Sequence, residues 1–406
     1  MSRRLVFWQD PFDKGTFVRC YAKREFNFSY MIFFGLEILV IKGGGYVEHF
    51  SCKTKIVSGA GSVSYLGKLG IKRMLLVADP YFVENGTAQR LVQSSGAEMS
   101  EVFHKVAPDP SVELAAEGTA AVKACKPDTI VALGGGSAMD CAKAMAFFAG
   151  EPVRLVAIPT TSGSGSEVTD FAILTHGQVK HPLVDEKIRP DVAILDSELL
   201  DKLPRQLIAD TGFDVLCHAL EGYVATGSGM ITDALAKEAF CIVYASLPAS
   251  YAGRTDVRLR IHEAATMAGL SFTHAGLGLC HALAHSLGGA FHLPHGRLNA
   301  ILLPAVIGTN VHVCGAKYAT LARAVGLPGA ADSVAVRNLK NALVRLRREL
   351  GMPQTLKEAG VDPREVWHRS PEIVKAALAD PCCKTNPMPV EDFMVRRILE
   401  EVTGRV

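Results

Sequence analysis

A glycine run between an apolar strand and a helix restricts the folds open to this chain. Residues 129–133 read TIVAL, and the segment GGGS at 134–137 separates them from a helix predicted to begin near Ala138. Glycines at such a junction let the backbone approach a pyrophosphate, whose charge then meets the helix N-terminal amides. A plain tight turn explains the glycines equally well, and their order is not GxGxxG. The interpretation is a phosphate-binding loop in a parallel α/β sheet.

The surrounding segment supports a parallel sheet. From residue 53 to about 200, short β-branched runs alternate with amphipathic helices, as in βαβ units. We predict strands at 72–77, 129–133, 155–158 and 171–174.

Asp79 follows the first of these strands. A carboxylate there could accept hydrogen bonds from an adenosine ribose and would repel the extra phosphate of NADP, which favours NAD. A turn-forming aspartate before Pro80 is an equally good interpretation of the same residues.

Residues 158–169, IPTTSGSGSEVT, concentrate hydroxyls and glycines in one segment. Such a loop can wrap a polar ligand with little steric cost. The apolar strands predicted on both sides argue against a flexible linker.

Length and composition indicate two domains and a cleft. The chain has 406 residues, 49% of them hydrophobic, and helical periodicity replaces the strand pattern beyond residue 204. The predicted segments are an atypical extension at 1–46, an α/β domain at 47–203 and an all-α domain at 204–406. A net charge of +2 without a Lys/Arg stripe argues against nucleic acid as a partner. Ten cysteines without paired spacing favour a reducing cytoplasm.

The N-terminal extension contains an apolar run at 26–41 that Glu37 interrupts. Sixteen residues fall short of the roughly 20 that span a bilayer, and no cleavage site follows, so we expect neither a membrane anchor nor a signal peptide. Lys42-Gly43-Gly44 can be encoded by a purine-rich ribosome-binding sequence. We therefore expect native translation to begin at Val47.

Imidazoles and a carboxylate recur in the apolar helical half. Asp214 and His218 lie four residues apart on one predicted helix face, as do His281 and His285, and His295 follows shortly after. A helix-start aspartate and a satisfied histidine would explain the first pair alone. Burying this many imidazoles without partners is costly, so a metal site is the better interpretation. Histidines with one carboxylate suit iron or zinc and leave room for a substrate oxygen.

Four segments together resemble the iron-containing (group III) alcohol dehydrogenases. They are GGGSAMDCAK at 134–143, IPTTSGSGSEVT at 158–169, TGFDVLCHALEGYV at 211–224 and AGLGLCHALAHSLGGAFHLPHGRLNAILL at 275–303. Within that family the chain is most similar to the propanol dehydrogenases of propanediol-utilising microcompartments, and ethanolamine-utilisation alcohol dehydrogenases are also similar. Residues 1–52 match nothing in the family pattern.

The resemblance implies a dehydroquinate synthase-like fold, with NAD(H) and Fe²⁺, or Zn²⁺, in the cleft between an α/β and an all-α domain. It implies the metal ligands Asp214, His218, His281 and His295. It places His285 beside the nicotinamide, either passing a proton or holding the ribose. The other cofactor contacts it implies, with Asp79, are Gly135, Gly136, Ser137, Thr160, Thr161, Ser164 and Lys180.

The same positional matching lines the substrate pocket with Phe171, Phe272, Leu277 and Cys382. All are apolar or nearly so, which predicts simple aldehydes such as propanal in preference to polyols. The expected activity is reduction of short-chain aldehydes to primary alcohols, with regeneration of NAD.

Other functions remain open at this point. They are an ethanolamine-utilisation ethanol dehydrogenase, a zinc polyol dehydrogenase, a 3-dehydroquinate synthase and a non-catalytic microcompartment partner. Retention of all four apparent ligands favours the iron-type enzyme. The expected partners are a second copy of the chain and microcompartment enzymes, with no membrane partner. The expected location is the cytoplasm, with or without enclosure in a microcompartment.

Overall fold

The computed structural model describes residues 49–177 and 179–404 and, ahead of them, four strands. Contacts divide the chain into one unit at Met1–His49 and another at Phe50–Val406. The first unit contains an antiparallel meander of the strands β1 (Leu5–Gln9), β2 (Thr16–Cys20), β3 (Ser29–Phe34) and β4 (Glu37–Lys42). The apolar run at 26–41 contributes to β3 and β4, and Val47 lies outside the described residues.

The second unit begins with a six-stranded parallel sheet in the order β5-β12-β9-β8-β6-β7. Its strands are β5 (Lys55–Ser58), β6 (Arg73–Ala78), β7 (Met99–Phe103), β8 (Thr129–Gly134), β9 (Arg154–Pro159) and β12 (Val192–Leu195). An antiparallel hairpin of β10 (Phe171–His176) and β11 (Val179–Val184) is separate from it. The helices among these strands are α1 (Pro80–Glu84), α2 (Thr87–Ser95), α3 (Val112–Cys125) and α4 (Gly136–Ala149).

The central strand explains why the sheet is parallel and covered on both faces. All six residues of β8 are buried, which requires the uninterrupted apolar run seen in the sequence. Its neighbours β6 and β9 run in the same direction and end level with it, since Ala78 pairs with Leu133 and Pro159 with Gly134. The segments that follow these three strands therefore leave the sheet at one edge, where ligands bind in such folds.

Helices alone make up regular structure beyond residue 204 in the described part of the chain, as predicted. They are α5 (Arg205–Val224), α6 (Met230–Tyr251), α7 (Arg258–Ala275), α8 (Leu279–Phe291), α9 (His295–Ala324), α10 (Asp332–Glu349), α11 (Pro363–Ala379) and α12 (Asp392–Thr403). The helix α5 is almost wholly buried and packs against α6, α7 and α9. Its burial explains why its polar residues need partners inside the protein.

Among the described residues, α9 is the one helix with the length and apolar composition of a membrane span. Most of its apolar stretch is buried within the helical core, where it packs against α5, α8 and α10. Burial within the protein accounts for its composition.

The predicted fold class is confirmed: a parallel α/β part precedes an all-helical part. Two details differ. The helix after the glycines begins at Gly136, two residues before the predicted start. The strand predicted at 171–174 exists, but it pairs with β11 in the hairpin and not within the parallel sheet.

Candidate metal and dinucleotide site

The segment 134–137 after β8, called here the glycine loop, lies against the segment 158–169 after β9, called the Thr/Ser loop. A Cβ added at Gly135 would lie 3.2 Å from Thr161 Oγ1, and one added at Gly136 would lie 3.2 Å from Ser164 Oγ. The Thr160 N–H donates to the carbonyl of the last β8 residue at 2.9 Å. The two segments, which are separate in the sequence, thus form one surface at the start of α4 that carries the hydroxyls of Thr161 and Ser164.

The Thr/Ser loop also joins the sheet to the helical part. A Cβ at Gly163 would lie 2.9 Å from Thr211 Cβ on α5, and one at Gly165 would lie 2.8 Å from Gly269 Cα on α7. The backbone can approach these helices only because side chains are missing at both positions. The loop is therefore held between the glycine loop on one side and the helices α5 and α7 on the other.

Asp79 lies at the same sheet edge, half-buried beside the glycine loop. A Cβ at Gly134 would lie 3.3 Å from the Asp79 Cβ. One carboxylate oxygen of Asp79 caps α1 by accepting from the Tyr81 N–H at 3.0 Å. The cap uses one of the two carboxylate oxygens, so the turn-forming and ligand-binding interpretations of Asp79 are compatible.

The remaining predicted cofactor residues are Ser137 and Lys180. Ser137 is half-buried in the first turn of α4. Lys180 lies on β11, and its Nζ is 2.6 Å from Asp109 Oδ1. The Lys180 charge still acts on this helix end, because it opposes the rise in the pKa of Asp140 that burial causes.

Lys143 is a buried cation beneath the Thr/Ser loop that the sequence analysis did not assign. Its side chain is fully buried, and its Nζ donates to Ser166 Oγ at 2.8 Å, to Thr169 Oγ1 at 2.9 Å and to the Phe171 carbonyl at 2.9 Å. Burial lowers the pKa of Lys143 to about 8, although the nearby Asp140 acts to raise it. A lysine among the apolar residues of α4 was the available signal. The Lys143 side chain fixes the shape of the Thr/Ser loop from below.

The four predicted metal ligands converge from three helices. Asp214 and His218 lie on α5, His281 on α8 and His295 at the first position of α9. The Asp214 Oδ1 atom lies 4.0 Å from His218 Nε2, 3.9 Å from His281 Nε2 and 3.6 Å from His295 Nε2. Ligand atoms of Asp214, His218 and His281 also lie within 4.8 Å of one another. The structure thus brings all four side chains around one carboxylate oxygen.

The protonation of these groups suits a cation. Burial lowers the pKa of His218 and lowers those of His281 and His295 well below the ordinary value, so the imidazoles are neutral and offer lone pairs. Three neutral nitrogens and one carboxylate oxygen are a donor set for Fe²⁺ or Zn²⁺ with a position open for substrate. The residues present therefore fit a divalent transition metal.

Glu221 is a buried carboxylate that orients the ligand His281. Its oxygens accept from the backbone N–H groups of Gly278 at 3.0 Å, Cys280 at 2.7 Å and His281 at 3.3 Å. The His281 Nδ1 lies 2.6 Å from Glu221 Oε2, which directs the opposite ring nitrogen towards Asp214. Burial raises the pKa of Glu221 to about 7, even though these backbone donors act to lower it. Sequence reasoning missed Glu221, seven residues after Asp214 on the same helix.

Asn299, one turn after His295 on α9, is a second residue that sequence reasoning missed. It is fully buried. Its Nδ2 donates to Asp214 Oδ1 at 2.8 Å and lies 3.3 Å from His281 Nε2 and 3.1 Å from His295 Nε2. The amide therefore ties the carboxylate to two of the imidazoles.

His285 lies at the edge of this cluster, where its ring stacks on that of His295 with centroids 5.1 Å apart. Its Nδ1 is 2.8 Å from Asp380 Oδ2, and Asp380 Oδ1 accepts from the Cys382 N–H at 2.8 Å. Burial opposes ionisation of Asp380, but the hydrogen bond and charge of His285 lower its pKa overall. A carboxylate accepts only, so the proton of neutral His285 resides on Nδ1 and Nε2 is left to exchange a proton.

Of the predicted pocket residues, Phe272 contacts the cluster itself. Phe272 is buried and stacks on the ring of His218 with centroids 4.5 Å apart, and Phe171 packs on Phe272 at 5.7 Å. Leu277 is buried, and its carbonyl accepts from Thr385 Oγ1 at 2.7 Å. That bond ties it to the 3₁₀ turn Pro381–Thr385, which carries Cys382. Phe272, with Phe171 packed behind it, thus forms an apolar wall against the predicted ligand His218.

Comparison with known proteins gives a family match over nearly all of the second unit. The sequence model for iron-containing alcohol dehydrogenase matches residues 53–197. The model for the Fe-containing alcohol dehydrogenase family, C-terminal, matches residues 208–403. Residues 198–207, at the boundary between the sheet and the helices, separate the two matches.

Individual relatives cover most of the chain. The 1-propanol dehydrogenase PduQ of Salmonella typhimurium is 39% identical over 87% of this chain and 99% of its own. The NADPH-dependent butanol dehydrogenase of Clostridium saccharobutylicum is 36% identical over 86% of this chain and 97% of its own. Among solved structures, sulfoacetaldehyde reductase from Bifidobacterium kashiwanohense in complex with NAD⁺ superposes with a TM-score of 0.79 at 28% identity, covering 88% of this chain and 99% of that one.

Proposed function

Because this chain belongs to the iron-containing alcohol dehydrogenase family, we propose that it reduces short unbranched aldehydes such as propanal to primary alcohols. It is an oxidoreductase that interconverts alcohols and aldehydes with NAD(H) and iron. The substrate class, the direction of the reaction and the residues that carry it out are our proposals. The observation that carries it is the apolar wall on the metal cluster, where Phe272 stacks on His218 at 4.5 Å.

We assign the metal to Asp214, His218, His281 and His295. Convergence of their donor atoms on one carboxylate oxygen supports the assignment. When bound, the metal and the nicotinamide supply a Lewis acid for the substrate oxygen and an acceptor or donor of hydride. The protein's own contribution is to keep the imidazoles neutral through burial and to orient them. We give Glu221 the role of orienting His281.

We assign the pyrophosphate to the surface between Gly135, Gly136 and Ser164, at the N-terminus of α4. Backbone amides at a helix start favour an anion, and the glycines leave room for it. Asp79 at the neighbouring strand end would meet the adenosine ribose and disfavour the additional phosphate of NADP. We expect NADH to be the preferred reductant.

His285 exchanges the substrate proton in this proposal. Asp380 keeps a proton on His285 Nδ1, so Nε2 accepts a proton during alcohol oxidation and returns it during aldehyde reduction. Phe171 and Phe272 exclude water from this side of the reacting carbon.

Substrate choice follows because the polar groups near the pocket already form hydrogen bonds within the protein. Asp380 is engaged by His285 and by the Cys382 N–H, and Thr385 Oγ1 donates to the Leu277 carbonyl. A second hydroxyl on the substrate would lose its water partners without replacement, at about 1–3 kcal/mol. That cost corresponds to roughly 5- to 150-fold in kcat/KM.

The test compares molecules of the same chain length: lactaldehyde carries one hydroxyl more than propanal, and glycerol carries two more than 1-propanol. With iron-loaded enzyme and NADH, kcat/KM for propanal should exceed that for lactaldehyde, and with NAD⁺ 1-propanol should exceed glycerol. Equal or inverted ratios in both directions would mean that the pocket assignment is wrong. Absence of activity on all four, with iron bound, would count against the metal and cofactor assignments instead.

We also propose that the enzyme forms a homodimer in the cytoplasm and works inside a propanediol-utilising microcompartment, with the enzymes of that compartment as partners. Similarity to 1-propanol dehydrogenase PduQ supports this location. Sedimentation of shells from the native host tests it: the chain should co-sediment with shells, and its complete recovery in the shell-free fraction would refute enclosure.

A further inference from the structure

A second group of metal-ligating side chains lies beside the four-residue cluster. His285, Asp380 and Cys382 each present a donor atom, and the three atoms lie within 4.8 Å of one another. Two of them, His285 Nδ1 and Asp380 Oδ2, are already 2.8 Å apart. None of the three belongs to the ligand set assigned above.

The chemistry of this group differs from that of the main site, the cluster of Asp214, His218, His281 and His295. It combines a nitrogen, a carboxylate oxygen and a sulfur on three ligands, the number that catalytic zinc sites use with a fourth position left open. A thiolate selects zinc and similar soft ions and disfavours magnesium or calcium. The main cluster offers no sulfur, so its donor set does not share this preference.

The position of the group allows an ion to enter. The side chains of His285 and Asp380 are 21% and 15% exposed, so solvent reaches two of the three donor residues. Cys382 is held on the 3₁₀ turn by the bond from its own N–H to Asp380. The adjacent Cys383 turns away, because its thiol donates to the Ala377 carbonyl at 3.0 Å.

We infer that His285, Asp380 and Cys382 form a second zinc site whose occupation inhibits the enzyme. Zinc takes the place of the proton between His285 Nδ1 and Asp380 Oδ2 and bonds to the Cys382 sulfur. The thiol proton leaves to solvent, and the Nδ1 proton of His285 is replaced by one on Nε2, so one proton is released in all.

Inhibition follows from this change of tautomer. With Nδ1 bonded to zinc, His285 Nε2 carries a proton and has no lone pair to accept one from an alcohol. This consequence rests on the proposed role of His285, whereas binding of the ion does not.

Cobalt reports the sulfur ligand directly. Enzyme whose main site is filled with Zn²⁺ is titrated with Co²⁺, which binds more weakly than zinc and should leave that site occupied. Near-ultraviolet absorption should show a sulfur-to-cobalt charge-transfer band, and metal analysis should give one zinc and one cobalt per chain. The band should be absent from Cys382→Ala and present in Cys383→Ala, the matched control.

Asp380→Asn keeps the thiol and should weaken cobalt binding at least about tenfold, which tests the site even if Cys382→Ala folds poorly. Oxidation of alcohol by the wild type should fall over the cobalt range in which the band grows. No band at saturating cobalt, a band that survives Cys382→Ala, or cobalt uptake only in exchange for zinc would overturn the second site. A band without inhibition would leave the site standing and refute the role of His285.

Discussion

Replacement of Glu221 by glutamine tests whether this carboxylate organises the metal site. In the native protein its two oxygens accept from three backbone N–H groups and from His281 Nδ1. An amide has one acceptor oxygen and adds two N–H donors of its own. The amide oxygen has two lone pairs, so about two of the four buried donors lose their partners at about 1–3 kcal/mol each. Glu221→Gln should therefore lose about 2–6 kcal/mol of unfolding free energy in the metal-free protein.

The same change should weaken metal binding. His281 loses the acceptor that fixes its ring, and removal of such an outer partner typically raises the metal dissociation constant by roughly 10- to 100-fold. Urea unfolding of the metal-free protein measures the first effect, and competition with a chromophoric chelator for Zn²⁺ measures the second. His281→Ala, which removes a ligand, sets the limit of complete loss.

Glu167→Gln is the matched control. Glu167 is also a buried carboxylate, but its hydrogen bond from Thr266 Oγ1, at 2.6 Å, can be accepted by an amide oxygen. It should change stability less and leave zinc affinity unaltered. If Glu221→Gln binds zinc as the wild type does, or if both variants lose zinc affinity equally, then Glu221 does not orient His281.

Two further outcomes follow from the dinucleotide side of the site. Asp79→Gly should raise kcat/KM for NADPH relative to NADH, because it removes the charge that repels the extra phosphate; wild type that uses both equally would contradict the assignment. Burial lowers the pKa of Lys143 from 10.5 to about 8. At 1.36 kcal/mol per pKa unit, folding disfavours the charged form of Lys143 relative to the neutral form by about 3 kcal/mol. The unfolded chain binds more protons between pH 8 and 10.5, so wild-type stability should rise across this window relative to Lys143→Met. Denaturant unfolding at both pH values measures the difference, and parallel pH profiles would rule out the buried charge.

Much of the fold could be predicted because local patterns carry it. An uninterrupted apolar run such as β8 is stable only when both faces are covered, and loss of the strand pattern beyond residue 204 leaves helices as the remaining regular structure. The two errors have local causes. Gly136 and Ser137 are poor helix formers that the helix start nevertheless includes. The run at 171–174 has strand propensity but no information about which strand it pairs with.

The sequence by itself determined which residue types could hold a metal and a dinucleotide, since the spacing of Asp214 and His218 on one helix is a local property. Only the tertiary structure decided which groups support them. Glu221 reaches His281 across 60 residues, and His285 and Asp380 are 95 residues apart. These partners are fixed by how α5, α8 and the segment after α11 pack. No pattern within a single segment encodes that packing, because it depends on burying apolar faces of separate helices against one another.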